Sequence, residues 1–183
     1  ASEDSLVKGQ GWYTDAKNIA EQVSTLVGTE DIRVGAGIIA ALSPQMSWGD
    51  NIAEALKFTS LGYSTMQTKA NNVKAQKIQE GQDPETVLGG AKVTSFYHAI
   101  LEPTGQYKPV VDRHAIAIYY GKPVSHRDLG RAMSNPRVVR RIQSAYSRAS
   151  RIVGKHYNVV QATTWLQHRK DKGYVKASAW EKE

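Results

Sequence analysis

The chain has 183 residues, 40% of them hydrophobic and 22% charged, with only 6 prolines, which excludes collagen, low-complexity disorder and a disulfide scaffold. It has no cysteine, so cysteine zinc sites, iron–sulfur clusters and thiol nucleophiles are excluded together. The formal charge is +7 and unevenly placed: residues 1–90 carry 7 basic and 11 acidic side chains, residues 91–183 carry 17 and 6. A basic half of this strength suits a polyanion such as nucleic acid, although solvated helix faces account for the same excess.

In chain order, Trp12, Ala16, Ile19, Ala20, Val23, Leu26 and Val27 recur at helical spacing and predict an amphipathic helix over 11–27. Residues 34–42 are apolar on all sides. Their alanines and glycines favour a close-packed buried helix, ended by Ser43 and Pro44. Nine apolar residues fall far short of the roughly 20 needed to span a membrane, so a soluble, cytoplasmic protein is expected. Asp50 can cap a helix carrying Ile52, Ala55, Leu56 and Thr59, and Thr68 one that runs to about Gln79. Residues 81–84 break the pattern before a short helix through Leu88. Val93, Phe96, Tyr97, Ile100 and Leu101 predict the next helix, stopped by Pro103 and Gly105.

Val110 and Val111 read as extended. Asp112 then stands as the N-cap of a helix carrying Ala115, Ile116, Tyr119 and Tyr120, ended by Gly121 and Pro123. Pro136 opens a longer helix with Val139, Ile142, Ala145, Tyr146, Ala149, Ile152 and Val153 inward and Arg137, Arg140, Arg141, Arg148 and Arg151 outward. A last helix covers 158–168, with Ala162, Trp165 and Leu166 inward. Eight or nine short helices with tight links predict an all-α, compact single-domain bundle over 1–183.

Three segments carry a resemblance. Gly37-Ile38-Ile39-Ala40-Ala41-Leu42-Ser43-Pro44-Gln45 with Asn51 is the first, and Asn72-Val73-Lys74-Ala75-Gln76-Lys77-Ile78 the second. The third is Leu88-Gly89-Gly90-Ala91-Lys92 followed 20 positions after its lysine by Asp112 in Val110-Val111-Asp112-Arg113-His114. In order and spacing these resemble the core of the helix-hairpin-helix DNA glycosylases, the group that includes endonuclease III and the adenine-mismatch glycosylases. The resemblance spans about residues 35–120. The hairpin departs from the family's Leu-Pro-Gly-Val-Gly in lacking the proline, and Arg113 replaces the usual threonine. The wording of residues 41–48 and 111–115 also looks like small phage-encoded proteins of this fold.

The resemblance implies that Asp112 is the catalytic carboxylate, stabilising positive charge on the sugar and orienting the attacking water. Lys92 matches a lysine that in some members attacks the sugar carbon; contact with a phosphate or with Asp112 is the alternative. Gly89, Gly90 and Ala91 would offer backbone N–H groups to a DNA phosphate, and an ordinary helix corner is the plainer reading. Gln45 matches a residue that fills the gap left by an extruded base. Trp48, Tyr97 and His98 are candidate pocket residues, equally readable as core. Arg113, Arg140 and Arg148 are candidate DNA contacts, and His114 looks structural. No metal or cofactor is expected. The expected partner is double-stranded DNA, bound by a monomer. A phage thymine-hypermodification enzyme of the same fold, and an inactive DNA-binding or host-interaction module, are the rival readings.

Overall fold

A computed structural model describes residues 3–102 and 109–171, with side chains for 14–102 and 109–168; every regular element among them is a helix. Trp12, Pro103 and Gly105 lie outside the described side chains. The described residues group into two compact units: 14–102, and 109–171 together with 3–13. No described helix is long and apolar enough to cross a membrane.

The first unit holds the C-terminal part of α1 (Glu3–Leu26), then α2 (Ile32–Ala41), α3 (Trp48–Leu61), α4 (Lys69–Gln79), α5 (Pro84–Val87) and α6 (Ala91–Leu101). The expected buried helix is its hub: residues 35–41 of α2 are buried, and α3, α4, α5 and α6 all pack on it. Small residues permit this. A Cβ on Gly35 would lie 1.9 Å from Ala20 O, and one on Gly37 would lie 3.0 Å from Pro84 Cβ. Ser24 completes the α1–α2 contact, its Oγ accepting from Gly35 N at 2.8 Å and donating to Asp31 O at 2.9 Å. Ile38, Ile39, Phe58, Ile78 and Ile100 fill the core, each fully buried and each contributing about 1.5–3 kcal/mol.

Two expectations in this unit need correction. The cap of α3 is Ser47, not Asp50: Ser47 Oγ accepts from Asp50 N at 3.1 Å and donates to Asp50 Oδ2 at 2.6 Å. This reciprocal capping pair starts the helix three residues earlier. Leu26, expected on an inward face, is 59% exposed at the end of α1.

The second unit holds α7 (Arg113–Tyr120), α8 (His126–Met133), α9 (Pro136–Val153) and α10 (Tyr157–Asp171). Val111, Ala115, Ile116, Ala132, Ile142, Tyr146 and Val160 form its core. α8 was not expected from the pattern; Ser125 Oγ caps it through Asp128 N. Ile152 and Val153, expected inward, are 84% and 51% exposed. They occupy the last turn of α9 before the left-handed C-cap Gly154, one turn or more beyond the core residue Tyr146.

Candidate functional site

In the first unit, α2 ends at Leu42 and the chain reverses at once. Met46 N donates to Ser43 O at 3.1 Å, closing a turn with Pro44 and Gln45 at its centre. Gln45 has φ 61, the only positive φ at a non-glycine among the described residues. A type II turn requires that sign at its third position, where Gly or Asn is usual.

Polar side chains brace this turn. Gln67 Nε2 donates to Leu42 O at 3.0 Å and Pro44 O at 2.8 Å, and Asn71 Nδ2 donates to Gln67 Oε1 at 2.8 Å. Behind them, Asn72 holds both the N–H and the C=O of Ser64, whose hydroxyl donates to the buried Glu54. Asn51, buried, donates to Ile39 O at 3.0 Å. The Gln45 side chain is exposed on the rigid corner these contacts make.

The pocket candidates of this unit each have their own neighbours. Trp48 meets Phe96 edge to face at 6.1 Å. Tyr97 is 1% exposed; burial pushes its hydroxyl up to about 12, opposed by Arg33 and reinforced by Glu85, Asp83 and Asp31. His98 Nε2 stands 3.5 Å from Glu85 Oε1.

The glycine turn lies between α5 and α6. Gly90, φ 87, is the N-cap of α6 and offers no side-chain acceptor. By contrast α2 to α5 and α7 to α9 each have an Asp, Ser, Thr or Asn cap. Gly89, Gly90, Ala91 and Lys92 are all exposed. The half-buried Lys74 points its ammonium at this turn: a methyl on Gly89 would lie 3.7 Å from Nζ. Uncapped N–H groups beside an ammonium make a favourable setting for an anion.

In the second unit, Asp112 is the N-cap of α7, as the sequence predicts. Its Oδ1 accepts from Ala115 N at 2.8 Å, and the residue is half-buried. Two glutamines pin the extended stretch before it: Gln143 Nε2 donates to Pro109 O at 3.2 Å, and Gln161 Nε2 donates to Val110 O. Thr164 Oγ1 donates to Gln161 O at 3.0 Å, so at the 3.4 Å contact between the two hydroxyls Tyr146 is the donor. Burial raises the Tyr146 pKa; the Thr164 contact opposes this, and the charge of Asp112 adds to it. His114 accepts from Arg113 Nε at 3.3 Å and meets Trp165 and His168 edge to face at 5.8 and 6.0 Å. A fixed carboxylate, a buried phenol and an aromatic wall therefore gather at the start of α7.

Arg140 and Arg148 share one face of α9 with Arg137, Arg141 and Arg151. All five are exposed, and none pairs with a carboxylate among the described residues. From Leu129 to Lys170 the sequence has no acidic residue at all.

The sequence candidates thus fall into two groups. Gln45, Trp48, Gly89, Gly90, Ala91, Lys92, Tyr97 and His98 belong to the first unit, and Asp112, Arg113, Arg140 and Arg148 to the second. Sequence reasoning missed Gln67, Gln143, Gln161, Thr164 and His168, and placed Tyr146 only in the core. No local pattern marked these residues, because their roles depend on tertiary burial: in α10, Asn158 and Gln161 are buried, and a buried amide in a helix is usually hydrogen-bonded.

The chain belongs to a family of unknown function (DUF7178), whose model matches residues 1–172. No curated protein and no solved structure matches it.

Proposed function

We propose that this protein is a DNA-binding, glycosylase-like enzyme of the helix-hairpin-helix type that hydrolyses the N-glycosidic bond of a damaged or modified base turned out of the duplex. The observation that carries this reading is the setting of Asp112: one carboxylate oxygen is fixed by Ala115 N and the preceding strand of chain is held by two glutamines. The uncapped α6 turn with its left-handed Gly90 supports the hairpin part, and the arginine face of α9 supports the choice of a polyanion.

Cleavage builds positive charge on the sugar as the C1′–N bond breaks and its electron pair leaves with the base. A fixed carboxylate opposes that charge, and the same group accepts the proton of the water whose oxygen bonds to C1′. The proton then passes to the departing base nitrogen, giving an abasic site and a free base. Lys92, exposed on the first turn of α6 just after the glycine turn that the Lys74 ammonium faces, serves a phosphate rather than the sugar carbon.

The test is incubation of purified protein with duplexes carrying uracil, alkylated, oxidised and hydroxymethylated bases, with alkali to reveal abasic sites. Asp112→Asn is the control, because asparagine caps a helix about as well as aspartate while removing the charge. Alkali-labile product that falls at least a hundredfold in Asp112→Asn supports the reading. Absence of product on every duplex, or product unchanged in the variant, sinks it and leaves a binding module.

A further inference from the structure

The exposed face of α9 has a geometry more specific than its charge. At 100° per residue, Arg137, Arg140, Arg141, Arg148 and Arg151 fall within an arc of about 100°, and at 1.5 Å per residue they extend over about 21 Å. They are not evenly spaced. Arg137, Arg140 and Arg141 form one group and Arg148 and Arg151 another, with group centres about 15 Å apart along the axis. On the same arc midway between them stands Ser144, small, uncharged and exposed.

Helix side chains that merely solubilise a protein are usually interspersed with acids, and α9 has none over its 18 residues. The major groove of B-DNA is about 12 Å wide and bordered by two phosphate rows. Two guanidinium groups on either side of a small residue match that cross-section: the arginines reach outward to each row, and the serine lets the helix approach the groove between them. A protein partner would need two acidic ridges at the same separation, whereas duplex DNA presents them by its regular structure.

We propose that α9 spans the major groove of duplex DNA, with Arg137, Arg140 and Arg141 meeting one phosphate row, Arg148 and Arg151 the other, and Ser144 facing the base edges. This rests on the DNA-binding part of the function proposed above and names the element, the groove and the form of nucleic acid.

The test is fluorescence anisotropy of the full chain with a labelled 20-base-pair duplex, its single strand, and heparin, over a salt series. Five phosphate contacts predict a slope of log K against log salt near −4.5 on the duplex. Arg140→Ala and Arg148→Ala, one from each group, should each weaken duplex binding about fivefold and flatten the slope by about 1. Ser144→Phe leaves the charge unchanged. It should weaken duplex binding about tenfold while heparin binding holds, because only the groove geometry is obstructed. The substituted side chains are exposed, and far-UV circular dichroism checks that each variant is folded.

A wild-type protein that binds single strand as tightly as duplex overturns the proposal, as does Ser144→Phe without effect or a loss confined to one arginine group. Preference for heparin over duplex points to an acidic protein partner and overturns it as well. The Asp112 assay scores excision separately. Excision that depends on Asp112 but survives the α9 substitutions with full duplex affinity removes this interface alone.

Discussion

Gln45 is held in a backbone conformation that its own side chain disfavours. At φ 61 a residue with a Cβ costs about 1 kcal/mol more than glycine, while the exposed Gln45 side chain has no hydrogen bond among the described residues to offset that cost. Removing the side chain in two ways separates the terms: Gln45→Ala deletes its outer atoms and keeps the strain, and Gln45→Gly deletes both. Glycine also gains freedom in the unfolded chain, which subtracts from the benefit. The expected net result is Gln45→Gly more stable than Gln45→Ala by about 0.5 kcal/mol, or about 1–2 °C in a thermal melt of a chain this size. Gln45→Ala should lie within about 0.5 kcal/mol of wild type. Urea denaturation followed by circular dichroism measures both differences. If Gln45→Gly proves no more stable than Gln45→Ala, the turn is not strained and the case for a specifically presented glutamine collapses. If the strain is real, both variants should also bind an abasic-site duplex more weakly than wild type, the pattern of a strained residue retained for use.

Gly35→Ala should destabilise the protein by about 3 kcal/mol or prevent its accumulation, since the new methyl would sit 1.9 Å from a main-chain carbonyl oxygen of α1; a urea midpoint equal to wild type would mean that α1 moves aside freely. Thr163→Val should raise stability by about 1 kcal/mol, because Thr163 is 2% exposed and its buried hydroxyl has no hydrogen-bond partner among the described residues; a loss of stability on the same curve would reveal a hidden acceptor. Hydrogen bonds from Lys57 and Ser64 hold the Glu54 carboxyl below its ordinary value of 4.5 against the opposing effect of burial. A lowered folded-state value adds stability that is complete above pH 4.5 and drains away as pH falls through the folded value. The advantage of wild type over Glu54→Gln in urea should therefore shrink as the solution is acidified below that point, and a difference independent of pH would show that the Lys57 and Ser64 contacts do not favour the ionised form.

The parts of the fold that were legible from sequence are those fixed by neighbours in the chain. Thr68, Asp112 and the Asn135-Pro136 start of α9 cap or open their helices within a few residues, so local chemistry sufficed. Where two local signals competed the shorter reading lost: Ser47 and Asp50 are one reciprocal cap, and treating Asp50 alone as the cap shifted the start of α3. α8 escaped notice because polar and charged residues outnumber apolar ones in it, although Ser125 and Asp128 carry the same capping spacing as Ser47 and Asp50. The exposure of Ile152 and Val153 depends on how far the neighbouring elements extend beside α9, which no periodicity within α9 records.

The candidate sites follow the same division. Asp112 could be singled out because capping is local, but what fixes it is not: Gln143 reaches back 34 positions to Pro109 and Gln161 reaches back 51 to Val110. Gln67 braces the Gln45 turn across 23 and 25 positions. In both places the residue visible in the sequence is the one presented, and those that hold it are glutamines distant in the chain: Gln67 in the loop before α4, Gln143 on α9 and Gln161 on α10. A helix cap needs no such support, since the cap bond to Ala115 N forms within its own turn. Two additional long-range hydrogen bonds on the three residues before Asp112 therefore do more than start α7. They restrict where the carboxylate can stand, which is the property that electrostatic stabilisation of a developing charge requires.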